Sequence, residues 1–181
     1  MNNPSVVILT PTVGSDHLEQ CLKSVSKQTY AGKLNHLIVI DGPQYTKKVY
    51  EIFDYINPSY AFSDYVTTLH DNVGGNGWYG HRVYAAYSYL VNEDYIIYLD
   101  EDNYFEPNHV ESLIKTIQDK KLAWAFSFRN IVDKESNFIC QDNCESLGKW
   151  PSVGNYLHVD TSAFCINREL AAKNAHNWYG Q

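Results

Sequence analysis

The feature that most limits how this chain can fold is an alternation of short apolar runs and helix-periodic segments through its first 128 residues. Apolar runs such as Val6–Leu9 are typical of strands buried on both faces. The predicted strands are Ser5–Thr10, Leu37–Ile40, Val66–Leu69, Tyr95–Leu99 and Leu122–Phe128, followed by a hairpin at 129–141. The predicted helices begin at an Asp16 N-cap with Glu19 as capping-box partner, at Tyr45, at His81, at Pro107 and near Arg168. This alternation predicts a three-layer α/β/α fold with a mostly parallel, mixed central sheet.

Length and charge narrow the class of protein further. A chain of 181 residues is expected to form one domain, residues 1–181. Its formal net charge of −7 argues against a nucleic-acid partner, because phosphate contacts need a basic surface. No apolar run approaches the roughly 20 residues of a membrane span, and the N-terminus lacks the pattern of a signal peptide. We therefore expect a cytoplasmic protein without a transmembrane segment, whose four cysteines are reduced thiols.

Polar motifs follow several of the predicted strands directly. In a parallel sheet the carboxyl ends of the strands meet at one edge, and ligands bind there. The motifs expected at that edge are Thr10-Pro11-Thr12, Asp41-Gly42-Pro43, the Gly-rich stretch with Gly74 and Gly75, and Asp100-Glu101-Asp102. The sequence thus predicts one ligand site built from several strand ends.

The acidic run after Leu99 is the most specific of these motifs. Asp100 and Asp102 alternate along an extended segment, so their carboxylates can share a face and hold Mg²⁺ or Mn²⁺. The alternative is a solvated acidic turn that precedes a helix. A divalent cation would also suit an acidic, arginine-poor chain that binds a diphosphate.

The remaining candidates are open to two interpretations each. Asp41 can accept hydrogen bonds from a ribose hydroxyl or a uracil NH, or can simply open a turn. In one interpretation, Gly74 and Gly75 allow a ligand to approach the backbone and Arg82 reaches a phosphate or base. In the other, the stretch is a flexible loop with a surface arginine. His158 and Asp160 share a face if that segment is extended, whereas an isolated Asp there could be a turn former.

Together these segments resemble a family 2 glycosyltransferase with the GT-A fold, over roughly residues 5 to 175. The matching motifs are Val6–Thr12, Ser24–Tyr30, Leu37–Gly42, Gly74–Arg82 and Tyr98–Asn103, the last being similar to the DxD motif of that family. Two positions depart from the family pattern. Val83 stands where Asn follows the family's Arg, and Val159 stands where an acid precedes Asp160.

The resemblance implies roles for the residues that match. Thr10, Pro11, Thr12 and Asp41 would hold the nucleotide, together with Gly74, Gly75, Arg82, Asp100 and Glu101. Asp102 would bind Mn²⁺ or Mg²⁺ with Asp100 nearby, and His176 would be a C-terminal metal ligand, although His158 could take that place. Asp160 would be the general base. Residues 1–103 would form the nucleotide-sugar half and residues 104–181 the acceptor half.

The function that the resemblance implies is inverting, metal-dependent transfer of a sugar, with a UDP-sugar as the favoured donor and a saccharide or other hydroxyl as acceptor. The length implies a minimal member of the family, and the Tyr-rich surface could support a homo-oligomer. One alternative is a metal-dependent nucleotidyltransferase, which would carry a basic Gly-rich loop after the first strand; here no Lys or Arg precedes Lys23. The other alternative is a non-catalytic module that binds a sugar nucleotide or glycan.

Overall fold

The structure, a computed structural model, describes residues 3–56, 65–142, 149 and 158–179. Eight strands and five α-helices follow one another in this part of the chain. The strands are β1 (Val6–Thr12), β2 (Leu34–Ile40), β3 (Val66–Thr68), β4 (Tyr95–Tyr98), β5 (Trp124–Phe126), β6 (Arg129–Val132), β7 (Phe138–Asp142) and β8 (Phe164–Asn167). The helices are α1 (Leu18–Ser26), α2 (Thr46–Ile56), α3 (His81–Leu90), α4 (His109–Lys120) and α5 (Arg168–Asn174). Short 3-10 helices cover Pro43–Tyr45, Thr161–Ala163 and Ala175–Tyr179.

Six of the strands form one mixed sheet in the order β3-β2-β1-β4-β8-β5. The first four are parallel, whereas β8 runs antiparallel to both β4 and β5. Strands β6 and β7 form a separate antiparallel hairpin. The predicted three-layer fold with a mostly parallel, mixed sheet is therefore confirmed.

The core lies on both faces of β1, all seven residues of which are buried. Val6 and Ile8 point to the face covered by α1 and α4, while Val7 and Leu9 point to the face covered by α3 and α5. Helix α2 packs with α1 over β2. Alternation along a strand sends successive side chains to opposite faces, so the uninterrupted apolar run of β1 requires this double covering.

Several predicted boundaries differ from the structure for local reasons. Asp16 does not cap α1: His17 occupies the N-cap position without a side-chain bond, and the Asp16 carboxylate lies 3.6 Å from Lys48 Nζ. Helix α4 begins at His109, two residues after Pro107.

The predicted 129–141 hairpin is confirmed, because β6 pairs antiparallel with β7. In its turn, Asp133 Oδ1 accepts hydrogen bonds from the backbone N–H groups of Glu135 and Asn137.

The prediction of reduced cysteines is confirmed for Cys21, Cys140 and Cys165, which are free thiols, and Cys144 lies outside the described residues. Every helix in the described ranges is too short or too polar to cross a bilayer.

Candidate active site

A cleft of about 540 Å³ opens at the carboxyl ends of β1, β2 and β4. The sheet brings the predicted strand-end motifs together in its lining. The residues from those motifs that line it are Pro11, Thr12, Asp41, Gly74, Gly75, Asp100, Glu101 and Asp102. A volume of this size lies within the range of pockets that bind small molecules.

Asp41 anchors the Gly-rich loop to the sheet. Its side chain is almost completely buried, and its two carboxylate oxygens accept hydrogen bonds from the backbone N–H groups of Val73 and Gly74 at 2.7 and 2.8 Å. A Cβ at Gly74 would lie 2.1 Å from the Tyr79 carbonyl oxygen and 2.5 Å from Asp41 Oδ2. Glycine is therefore required at position 74, because the Tyr79 carbonyl and the Asp41 carboxylate leave no room for a Cβ.

Glu101 holds the loop between β1 and α1. Its Oε2 accepts hydrogen bonds from Thr12 Oγ1 at 2.5 Å and from Ser15 N–H at 2.9 Å, and its Oε1 accepts one from Val13 N–H at 3.2 Å. Glu101 was predicted as a nucleotide-binding residue. The structure gives it a loop-bracing geometry as well as a place in the cleft lining.

Asp100 begins the acidic run and is half-buried. The Tyr84 hydroxyl donates a hydrogen bond to Asp100 Oδ1 at 2.5 Å, and the Asp100 backbone N–H donates one to Ser162 Oγ at 3.0 Å. Burial raises the pKa of Asp100 to about 6; the charges of Asp160 and Asp102 add to this rise, and the hydrogen bond from Tyr84 opposes it. Three carboxylates therefore interact at this point of the site.

Asp160 is the N-cap of the 3-10 helix Thr161–Ala163, and its Oδ1 accepts a hydrogen bond from the Ser162 N–H at 2.9 Å. Its Oδ2 lies 2.6 Å from Arg129 Nη1. The same guanidinium bonds to Asp142 Oδ2 through Nη2 at 2.6 Å and Nε at 3.2 Å. Arg129 thereby connects the β6–β7 hairpin to Asp160.

The cleft lining does not include Thr10, Arg82, His158 or His176, nor the predicted base Asp160. Thr10 is completely buried and hydrogen-bonds to His36. The Arg82 guanidinium lies 4.1 Å from the centre of the Trp78 ring and donates to the Val73 carbonyl oxygen at 3.4 Å, so its role at a phosphate stays a prediction. His176 is exposed on the 3-10 helix Ala175–Tyr179.

Sequence reasoning missed two residues of the site, Tyr84 and His81. His81 lines the cleft at the start of α3 and packs on Trp178 at 5.4 Å between ring centres, where burial lowers its pKa. Its place directly after the Gly-rich stretch was the available signal. Tyr84 had no local signal, because its partner Asp100 comes from another strand.

The predicted three-ligand set of Asp100, Asp102 and His176 is not assembled. Within the described ranges, no group of three or more His, Cys, Asp or Glu residues could hold an ion. Asp100 and Asp102 do line the same cleft. Magnesium is commonly held by one or two carboxylates together with substrate phosphates and water, so this pair fits an ion whose coordination the ligand completes.

A mostly parallel sheet with a nucleotide-sized cleft and an acidic run at the end of its central strand defines the GT-A class of α/β domains. The family model for glycosyl transferase family 2 matches residues 5–172, and the chain belongs to that family. No curated protein matches the sequence.

Solved structures share the fold. S. aureus TarS aligns at 13% identity with a TM-score of 0.63, over 94% of this chain and 29% of TarS. TarS 1-349 in complex with UDP-GlcNAc aligns at 14% identity and a TM-score of 0.59, over 94% and 47%. The mannosyltransferase PcManGT from Pyrobaculum calidifontis, in complex with GDP-Man and Mn²⁺, aligns at 12% identity and a TM-score of 0.65, over 96% and 47%. This chain thus spans less than half the length of each of these three solved chains.

Proposed function

We propose that this domain transfers a sugar from a nucleotide-diphosphate sugar, with UDP-sugars favoured, to an acceptor hydroxyl with inversion of configuration. The observation that carries the proposal is the convergence of Asp41, the Gly74–Gly75 turn and the Asp100–Asp102 run in one cleft. Family membership supports the reaction class. The UDP-GlcNAc and GDP-Man complexes of the two structural neighbours support a nucleotide-sugar donor.

Each part of the cleft would have a distinct task. Asp41 and the loop braced by Glu101 would bind the nucleoside, and the Gly-rich turn would allow the backbone to approach the donor. Asp100 and Asp102 would hold Mn²⁺ or Mg²⁺. A cation bound there would act as a Lewis acid and stabilise the negative charge that develops on the departing diphosphate.

Asp160 would act as the general base. The acceptor hydroxyl gives its proton to the Asp160 carboxylate, and its oxygen forms a bond to the anomeric carbon. The bond from that carbon to the diphosphate oxygen breaks, and its electron pair leaves with the nucleoside diphosphate. Attack from the side opposite the leaving group inverts the configuration.

The direct test replaces Asp160 with Asn and compares it with Asp142→Asn. Both variants remove a carboxylate from the Arg129 guanidinium, but only Asp160 lies beside the acidic run. We expect Asp160→Asn to bind UDP with Mn²⁺ normally in calorimetry and to lose transfer by about 10²- to 10⁴-fold. Asp142→Asn should retain most of the transfer. Normal turnover in Asp160→Asn would contradict the assignment of the base.

The nucleotidyltransferase alternative finds no support in the loop after β1. Thr12, Val13 and Ser15 bond to the Glu101 carboxylate, and the loop carries no Lys or Arg. The non-catalytic alternative predicts UDP binding without transfer in the unmodified protein. A screen of UDP- and GDP-sugars for transfer or hydrolysis with Mn²⁺ or Mg²⁺ distinguishes it.

A further inference from the structure

A second cleft, of about 290 Å³, adjoins the cleft proposed for the donor. Asp102 lines both clefts, and Asp160 lines the second. Its lining comes mainly from the segment between Asp102 and His109 and from the β6–β7 hairpin. A molecule in this second cleft would therefore meet the donor beside the proposed base.

The charges in the second cleft disfavour an anionic occupant. Asp102, Glu106 and Asp160 contribute negative charge, and Arg129 is the one Lys or Arg among its described lining residues. The Arg129 guanidinium is already hydrogen-bonded to the Asp160 and Asp142 carboxylates. Burial lowers the pKa of His109 to about 4, so this imidazole is neutral at pH 7. A phosphate or carboxylate would meet no unbalanced cation among these residues.

The apolar and polar groups of the lining suit an uncharged sugar. Tyr104, Phe128 and Phe138 present aromatic surface, and the Phe138 side chain on β7 is 64% exposed. Aromatic rings pack against the C–H face of a pyranose, while its hydroxyls need hydrogen-bonding partners at the edge. Side-chain amides and hydroxyls in the lining provide these: Asn103, Asn130, Ser127 and Ser136.

We propose that the second cleft is selective for an uncharged glycoside as acceptor and that Phe138 packs against its ring. This inference rests on the proposed function and specifies its acceptor class. The hydroxyl of that glycoside would lie between Asp102 and Asp160, where Asp160 takes its proton as the glycosidic bond forms and the nucleoside diphosphate departs.

The test measures acceptor binding without turnover. Saturation-transfer NMR on the protein loaded with UDP and Mg²⁺ compares a panel of neutral methyl hexosides and N-acetylhexosaminides with glucose 6-phosphate and glucuronate. We expect one or more neutral glycosides to bind and the two anionic sugars to bind at least tenfold more weakly. Equal or tighter binding of the anionic sugars overturns the inference, as does a lack of binding by every neutral glycoside.

A matched pair of variants on β7 tests the role of Phe138. Phe138→Ala removes the ring that lines the cleft, whereas Ile139→Ala removes an exposed apolar side chain from the next position, which lies outside the lining. We expect Phe138→Ala to weaken neutral-glycoside binding about tenfold while UDP affinity and the unfolding midpoint stay unchanged, and Ile139→Ala to match the unmodified protein. Equal effects of the two variants overturn the inference. Failure of the unmodified protein to bind UDP contradicts the proposed function instead.

Discussion

At the scale of single residues, the carboxylate of Glu101 shows how the acidic run shapes the cleft without necessarily touching a ligand. It accepts three hydrogen bonds from Thr12, Val13 and Ser15. Hydrogen bonds to a charged group contribute about 1.5–3 kcal/mol each when formed in a protein. The position of the loop next to β1 therefore depends on a side chain nearly 90 residues further along the chain.

Replacing Glu101 with Gln should loosen this loop, because an amide has one acceptor oxygen and carries no charge. We expect UDP affinity in the presence of Mn²⁺ to fall about tenfold and the free energy of unfolding to fall by about 1–3 kcal/mol. Calorimetry and urea unfolding measure the two quantities. Glu51→Gln, on the exposed surface of α2, is the control and should change neither. Unchanged UDP affinity in Glu101→Gln would show that the loop does not depend on this carboxylate.

Sequence reasoning could place Asp41, Gly74 and Asp100 at one edge because each follows an apolar strand, and strand direction then fixes where they meet. It could not give the partners of Glu101 or Tyr84, since those hydrogen bonds join segments far apart in the chain. Arg82 shows the same limit: the sequence shows its charge but not the Trp78 ring that packs against its guanidinium. Hydrophobic periodicity predicts where a residue lies in a strand or helix, but it does not predict which distant residue its side chain contacts.

At the scale of elements, the 3-10 helix Ala175–Tyr179 packs against α3. Trp178 packs against Tyr84 and Tyr98 at 5.2 and 5.3 Å between ring centres, and Tyr84 in turn bonds to Asp100. An aromatic cluster thus connects this helix to the acidic run.

The prediction that Asp16 caps α1 was wrong. Local cap signals in the sequence do not reveal the hydrogen bonds to Glu101 that shape the chain before α1.

Trp178→Ala should destabilise the fold because it removes a large ring from this aromatic cluster. We expect the free energy of unfolding to fall by about 3 kcal/mol in urea titrations. Tyr179→Ala in the same 3-10 helix, whose side chain is 54% exposed, should cost less than about 1 kcal/mol. Similar losses for the two variants would mean that the cluster does not support α3.

At the scale of the whole molecule, the partly buried histidines His36 and His109 link stability to pH. Burial lowers the pKa of His36 on β2 to about 3, from an ordinary value of 6.5. The unfolded chain therefore takes up a proton near pH 6.5 that the folded protein does not. Stability from this group is fully present above pH 6.5 and is lost as the pH falls toward 3, at up to about 1.4 kcal/mol per pH unit.

His36→Gln should flatten this dependence, because glutamine does not titrate. Urea unfolding between pH 7.5 and 4.5 gives the slope of unfolding free energy against pH, and the slope is the readout even where the substitution lowers stability at every pH. His70→Gln, at an exposed position, should retain the slope of the unmodified protein. If His36→Gln had the same slope as the unmodified protein, the acid sensitivity would come from another group. His109 would then be the next residue to replace, because burial lowers its pKa to about 4.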